Sequence, residues 1–187
     1  MKLTFTFLII VFSISCTEAT AQITSIPDAA FEQVLIDLEI DSDGIVNGQI
    51  ANSDAEATTT LTISPDGIPD PYIYDLTGIE AFINLEELNV NNTMAEQLNV
   101  STMPNLKHID CHTNMLTHID VSNNPLLEYL DISSGGDVYP FNSFSEIDLS
   151  NNPNFKELHA TNAVVYINLK NGNNNPDMLL DIGQFTI

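Results

Sequence analysis

The sequence predicts a mainly β solenoid whose N-terminal end is capped by an amphipathic helix. Three observations predict it. Leu85-Glu86-Glu87-Leu88-Asn89-Val90 returns 21 positions later as Leu106-Lys107-His108-Ile109-Asp110-Cys111, and 21 later again as Leu127-Glu128-Tyr129-Leu130-Asp131-Ile132. A fixed period of this kind marks units that bury their apolar side only against their neighbours. Inside each unit, apolar residues alternate with Asn, Asp or His, which is the period of a strand. Ahead of the repeats, Phe31, Val34, Leu35 and Leu38 stand at i, i+3, i+4 and i+7, one apolar helical stripe.

The chain opens with Met1 and Lys2, an apolar run from Leu3 to Ile14, and the small-x-small site Ala19-Thr20-Ala21 before Gln22. That layout is a secretory signal peptide, residues 1–21, and its apolar run is too short to span a bilayer as a helix. Ser13-Ile14-Ser15-Cys16 offers a second route, lipoprotein anchoring through Cys16, although it lacks the Leu that usually leads a lipobox. Residues 22–60 read as a cap helix and a connector. Pro27 takes the first helical position and Asp28 supplies an acid to the first turn. The helix covers the apolar end of the first coil, which would otherwise meet water. Asp41-Ser42-Asp43-Gly44-Ile45-Val46 ends it as a polar turn similar to part of an EF-hand loop. With Gly44 as the sixth loop residue, Ile50 falls at the twelfth, where calcium needs a bidentate Glu. Asp41 and Asp43 are therefore weak metal candidates. Asn47 to Thr60 is polar and low in signal.

The solenoid occupies residues 61–187. Leu61-Thr62-Ile63 is its first strand, and Ser64 to Pro71 is a turn-rich loop. Ile73 to Phe82 leads into the first full repeat. Each repeat also has a second half that copies the first: Leu116-x-x-Ile119-x-Val121-x-x-Asn124 follows Leu106-x-x-Ile109-x-Cys111-x-x-Asn114. One coil thus reads as strand, turn, strand, turn, with Pro104, Pro125 and Pro153 punctuating turns. The fourth copy, Phe155-Lys156-Glu157-Leu158-His159-Ala160, comes 28 positions after the third, so 7 residues have been inserted between Ile132 and Ile147. A regular rung has no room for them, and they must project as a loop. Tyr139 and Phe141 make that loop a candidate contact site, with Phe144 the ring expected to turn inward. Met178-Leu179-Leu180-Asp181-Ile182 starts another coil, and Phe185-Thr186-Ile187 ends apolar with no polar cap. The expectation is a last coil that frays, continues in a longer protein, or meets another chain end to end.

These repeats resemble the leucine-rich repeat (LRR), L-x-x-L-x-L-x-x-N/C-x-L. They are most similar to the short-repeat LRR proteins secreted by bacteria, with their recurring L-x-x-L-D-V-S-x-N-P phrase. The resemblance covers roughly Tyr72 to Asn175. It implies a leucine-rich-repeat solenoid that recognises or adheres to a protein or glycan, at the cell surface or after secretion, without catalysis or cofactor. The family's Asn-ladder position holds Asn114 in one copy but Thr93, Gly135 and Ala163 in the others, so an interrupted ladder is expected.

The formal net charge is −22, from 26 acids against 4 cations that are all Lys. Phosphate binding depends on Lys and Arg, so nucleic acid and anionic membranes are poor partners. Beyond the leader the sole cysteine is Cys111, at an inward rung position, where it acts as a small hydrophobe. The outward positions carry the chemistry. His108, Asp110 and His112 are spaced by two and face solvent together, with Tyr129, Asp131 and His159 on neighbouring rungs. His108, Asp110 and His112 are weak metal candidates, and His108 and His112 stand too far apart to share one ion. Asp110 above Asp131, and Asp120 above Asp148, give stacked carboxylates like those of a retaining glycosidase. No pocket-building segment, nucleophile motif or phosphate loop accompanies them. The favoured function is therefore recognition, by Tyr139, Phe141, Tyr129, His108, Asp110 and Asp131. The alternative is an exported carbohydrate-active or metal-dependent protein.

Overall fold

The computed structural model describes residues 22–63, 72–135, 142–172 and 177–183. The leader with Cys16, the insertion tip with Tyr139 and Phe141, and residues 185–187 lie outside the described residues. Six three-residue strands form one parallel sheet: β3 (Thr60–Thr62), β4 (Glu87–Asn89), β5 (His108–Asp110), β6 (Tyr129–Asp131), β8 (Glu157–His159) and β10 (Leu179–Asp181). The register follows the sequence period. Leu61, Leu88, Ile109, Leu130, Leu158 and Leu180 form one row across the sheet. The middle residue of each strand points inward because successive side chains alternate faces. Leu61, Leu88, Ile109, Leu130 and Leu158 are fully buried, and Leu180, on the last rung, is 41% exposed.

The second halves of the coils depart from the expected strands. Residues 98–100 and 119–121 carry no ladder, and among the described residues a second parallel pair forms between β7 (Phe144–Asp148) and β9 (Val164–Asn168). Asn99 and Asp120 each accept a hydrogen bond from the backbone N–H two residues on, at Ser101 and Ser122, which turns the chain there. Their apolar neighbours still serve the core: Leu98, Val100, Ile119 and Val121 are buried.

Two columns of asparagine hold the coils together, where an interrupted one was expected. Asn114 donates to the carbonyls of Val90, Cys111 and His112. Asn142 repeats the pattern one coil on, donating to Cys111, Ile132 and Ser133, while its Oδ1 accepts the Leu116 N–H. The insertion therefore ends just before a ladder residue, and Asn142 does the work that the period assigns to Gly135. Thr93 heads the column by donating its hydroxyl to Asn114. The second column is Asn124, Asn152 and Asn171, each donating to carbonyls of the preceding coil. Asn124 and Asn152 are the Asn of Ser-x-Asn-Pro, which the sequence presents only as turn chemistry.

The N-terminal segment, expected as a cap helix and a connector, is more built than that. β1 (Ile23–Ser25) pairs antiparallel with β2 (Gln49–Ala51), and a short helix α2 (Asn52–Ala57) follows. Helix α1 (Ala29–Asp37) buries Phe31, Val34 and Leu35. Asp28 is its N-cap, accepting the N–H groups of Ala30 and Phe31, so Pro27 precedes the helix instead of opening it. Leu38 is the C-cap and is 44% exposed, off the buried stripe. Glu32 is fully buried, and its carboxylate gathers the N–H groups of Asn47, Gly48 and Gln49. This segment and the solenoid meet at Gly78, whose φ is +100°; a Cβ there would lie 2.5 Å from the Ser25 carbonyl oxygen.

A prediction follows from the ladders. Asn142→Ala strands the Ile132 carbonyl and the Leu116 N–H, while Cys111 keeps the Asn114 amide and Ser133 the Thr113 N–H, and leaving such groups unpaired costs about 1–3 kcal/mol each before relaxation. Urea unfolding of the variant is expected to show a loss of about 3 kcal/mol. The exposed Asn151→Ala should stay within about 0.5 kcal/mol.

Candidate functional site

The outward residues of the sheet fall into two columns because residues two apart on a strand share a face. One column is Glu87, His108, Tyr129, Glu157 and Leu179; the other is Asn89, Asp110, Asp131, His159 and Asp181. The His108 ring stacks on Tyr129 with centroids 4.0 Å apart and planes 7° apart. Tyr129 then meets His159 at 5.4 Å with a 39° tilt. Three adjacent rungs thus present a continuous aromatic ridge. Burial and the surrounding carboxylates of Asp131, Asp110 and Glu157 push the Tyr129 phenol up to about 12, so it is neutral over the physiological range.

His108, Asp110 and His112 do not act as one row. His112 lies past the end of β5 and folds back onto Asp110, with its Nδ1 2.6 Å from Asp110 Oδ1. The turn behind it runs through Thr113 at φ +55°, and Asn92 and Asn162 adopt the same left-handed conformation, so this bend belongs to the coil. Burial works to raise the Asp110 pKa, but hydrogen bonds from the His112 ring and backbone outweigh it and hold the carboxyl below its ordinary value. The Asp110 hydrogen bond raises His112 against the opposing effect of burial. His159 is raised chiefly by its hydrogen bond to Glu157, 2.7 Å away. Asp131 is the register partner of Asp110. The structure therefore exchanges one metal candidate: His108 leaves for the aromatic ridge, and Asp131 joins Asp110 and His112.

Asp41 and Asp43 belong to no cluster of three such ligands among the described residues. Asp43 accepts the Ile45 N–H and the Asn47 side chain, the work of a polar turn. Asp41 is only 4% exposed, and burial, joined by the nearby acids, raises its pKa.

The repeated acids have a local role that periodicity hides. Asp110, Asp131, Asp120 and Asp148 each accept the backbone N–H two residues on, at His112, Ser133, Ser122 and Ser150. Asn89, Asn99 and Asn168 do the same. Asp or Asn at this position turns the chain out of the strand. Stacked carboxylates are thus a by-product of turn chemistry, and Asp or Asn placed two residues before the bend was the signal that could have shown it.

A cleft of about 340 Å³, which the sequence did not suggest, opens beside the first coil between Tyr74, Asp75, Glu80, Glu96 and Asn99. Two of its three acids are engaged. Asp75 accepts the Thr77 N–H and hydroxyl, and Glu80 accepts the Gly78 N–H and the Asn99 side chain.

No protein-family model matches the chain, and no curated protein does. Among solved structures it is similar to the functional domain of InlJ from Listeria monocytogenes, at 24% identity and a TM-score of 0.48, covering 78% of this chain and 34% of that one. It is also similar to the internalin InlF of L. monocytogenes, at 17% identity and TM-score 0.47, covering 76% of this chain and 56% of that one. For internalin C2 of the same species the identity is 15% and the TM-score 0.44, with 82% and 84% covered. The chain thus spans about a third of the first of these structures and about half of the second.

The Asp110–His112 pair predicts a pH window. A raised His112 pKa stabilises the fold below its unfolded value of 6.5, and that stabilisation is lost as pH rises through the folded value. A lowered Asp110 pKa stabilises above 3.8, and that is lost as pH falls through the folded value. The urea-midpoint gap between the unmodified chain and His112→Gln should therefore be widest near about pH 5–6 and shrink by about pH 8.5. A gap that does not change with pH would show that the pair is not coupled to folding.

Proposed function

We propose that the chain is an exported, non-catalytic recognition module that grips a protein or glycan with the outer face of its six-stranded sheet. The observation that carries this is the His108–Tyr129–His159 ridge. Rings in contact across three rungs, one pair stacked and the other tilted, give a rigid, amphipathic contact surface at little cost in side-chain entropy. Asp110, Asp131, Glu157 and Asp181 border it. With a net charge of −22, this surface favours a partner that brings Lys, Arg or neutral hydroxyls over an acidic glycan.

Tyr139 and Phe141 extend the same surface in this proposal. The insertion leaves the coil just after Ser133 and Ser134, beside the column of Asp131, and returns at Asn142. Export rests on the leader-like residues 1–21. Among the described residues no helix is long and apolar enough to cross a membrane. Catalysis is not part of the proposal, because the stacked acids sit on an open face with oxygens already engaged in turns.

The test is capture by the immobilised chain from a glycan array and from proteins of the secreting cell's surroundings. Tyr129→Ala should weaken any specific partner by about 2 kcal/mol or more, roughly 30-fold, as expected when a central aromatic anchor is truncated. Tyr74→Ala, away from the ridge, should not. Equal affinity of the Tyr129 variant, with an unchanged circular dichroism spectrum, would remove the ridge as the contact site.

A further inference from the structure

Asp110, His112 and Asp131 each offer a ligand atom, and the three atoms lie within 4.8 Å of one another. Among the described residues no other three His, Cys, Asp or Glu side chains converge in this way. We propose that these side chains bind one divalent transition-metal ion, most naturally zinc, on the outer face of the solenoid. The inference goes beyond partner recognition and holds whatever the partner is.

The coil builds the site from two kinds of neighbour. Asp110 and His112 are two residues apart on one chain segment, and Asp131 is the register partner of Asp110 on the next rung. Both carboxylates are already oriented. Asp131 accepts the Ser133 N–H at 2.8 Å, and Asp110 accepts the His112 N–H at 3.2 Å and the Asn91 side chain at 3.4 Å. Such outer hydrogen bonds fix the direction of ligating groups. The site is also sheltered, since the His112 and Asp110 side chains are only 31% and 16% exposed.

The donor set selects the ion. One imidazole with two carboxylates suits zinc and its first-row neighbours, whereas calcium and magnesium prefer all-oxygen shells. A thiolate-loving ion finds no ligand, because Cys111 faces the core and is fully buried. Zinc binds such atoms at about 2.0–2.2 Å, so two ligands of one tetrahedral ion stand roughly 3.3 Å apart. His112 and Asp110, now at 2.6 Å, would open slightly, and the Asp131 ligand atom already lies within 4.8 Å of both. Three protein ligands leave a position open to water or to a group from a partner.

Calorimetric titration of zinc chloride into the full chain tests this, together with nitrogen NMR of the histidine rings during the same titration. The expected result is one ion per chain. Affinity should fall in His112→Gln and Asp131→Asn by more than the roughly 10–100-fold that losing an outer-shell partner costs. His118→Gln, an exposed histidine away from the cluster, should bind as the unmodified chain does. In the unmodified chain the His112 ring nitrogens should shift with zinc while those of His118 stay in place, a result that does not depend on any variant folding. Absence of saturable binding, affinity that survives both substitutions, or an unshifted His112 would overturn the proposal.

Discussion

Everything on the outer face depends on how the inward backbone groups are satisfied at the bends. A coil of about 21 residues must turn several corners, and at each corner some carbonyls point into the core. Left unpaired, each would cost roughly as much as a lost hydrogen bond. Asn114 and Asn142 on one side, and Asn124, Asn152 and Asn171 on the other, reach back to the preceding coil and pair with them. This bonding locks one coil to the next in register. The same register places His108 on Tyr129 and Asp110 beside Asp131. The aromatic ridge and the proposed metal site are therefore consequences of the buried amide columns as much as of the residues that form them.

The rungs were legible because a buried apolar row leaves a strict sequence period. Leu88, Ile109, Leu130 and Leu158 could be read from spacing alone, and so could the inward Cys111 and the burial of Phe144, which is 2% exposed. Asn142 was not legible, because an insertion breaks the period at the point where the ladder needs its residue. Glu32 was hidden for a different reason. It lies beside an apolar helical stripe, where an acid normally means a solvated edge, and its partners are backbone N–H groups about 15 residues away. The second halves all read as strands, yet β7 and β9 pair while residues 98–100 and 119–121 do not, because alternation reports which side chains go inside, not whether the backbone finds a ladder partner. Asn99 and Asp120 do not settle that point, because Asp148 and Asn168 make the same local bond and still end paired strands.

The face itself was partly legible. The column of Asp110, Asp131 and His159 follows from the repeat, as does the neighbouring column of His108 and Tyr129. What spacing could not give is rotamer and bend. Seen as a strand, His112 is one more outward residue, four along from His108. In the structure the chain has already turned by then, and the ring swings onto Asp110. One bend therefore redistributes the three sequence candidates between two assemblies, an aromatic ridge and an acid–imidazole cluster.

The sparse cations sharpen the electrostatic character of that face. Lys107 pairs with Glu86 and Lys156 with Glu128, each at 2.6 Å and each joining adjacent coils on the approach to a strand. These pairs are about half exposed, and pairs of this kind contribute little to stability. Their effect is on distribution: two of the chain's four lysines are held on the flank, just before the sheet. In the outward columns Asp110 and Glu157 are paired with imidazole, at His112 and His159. His112 and His159 are held above the ordinary imidazole value by the hydrogen bonds they make to Asp110 and Glu157. The neutral form of imidazole can ligate a metal, and its charged form offsets the neighbouring acids. A cationic partner and a metal ion would therefore meet the same small set of side chains, with His112 deciding between proton and ion.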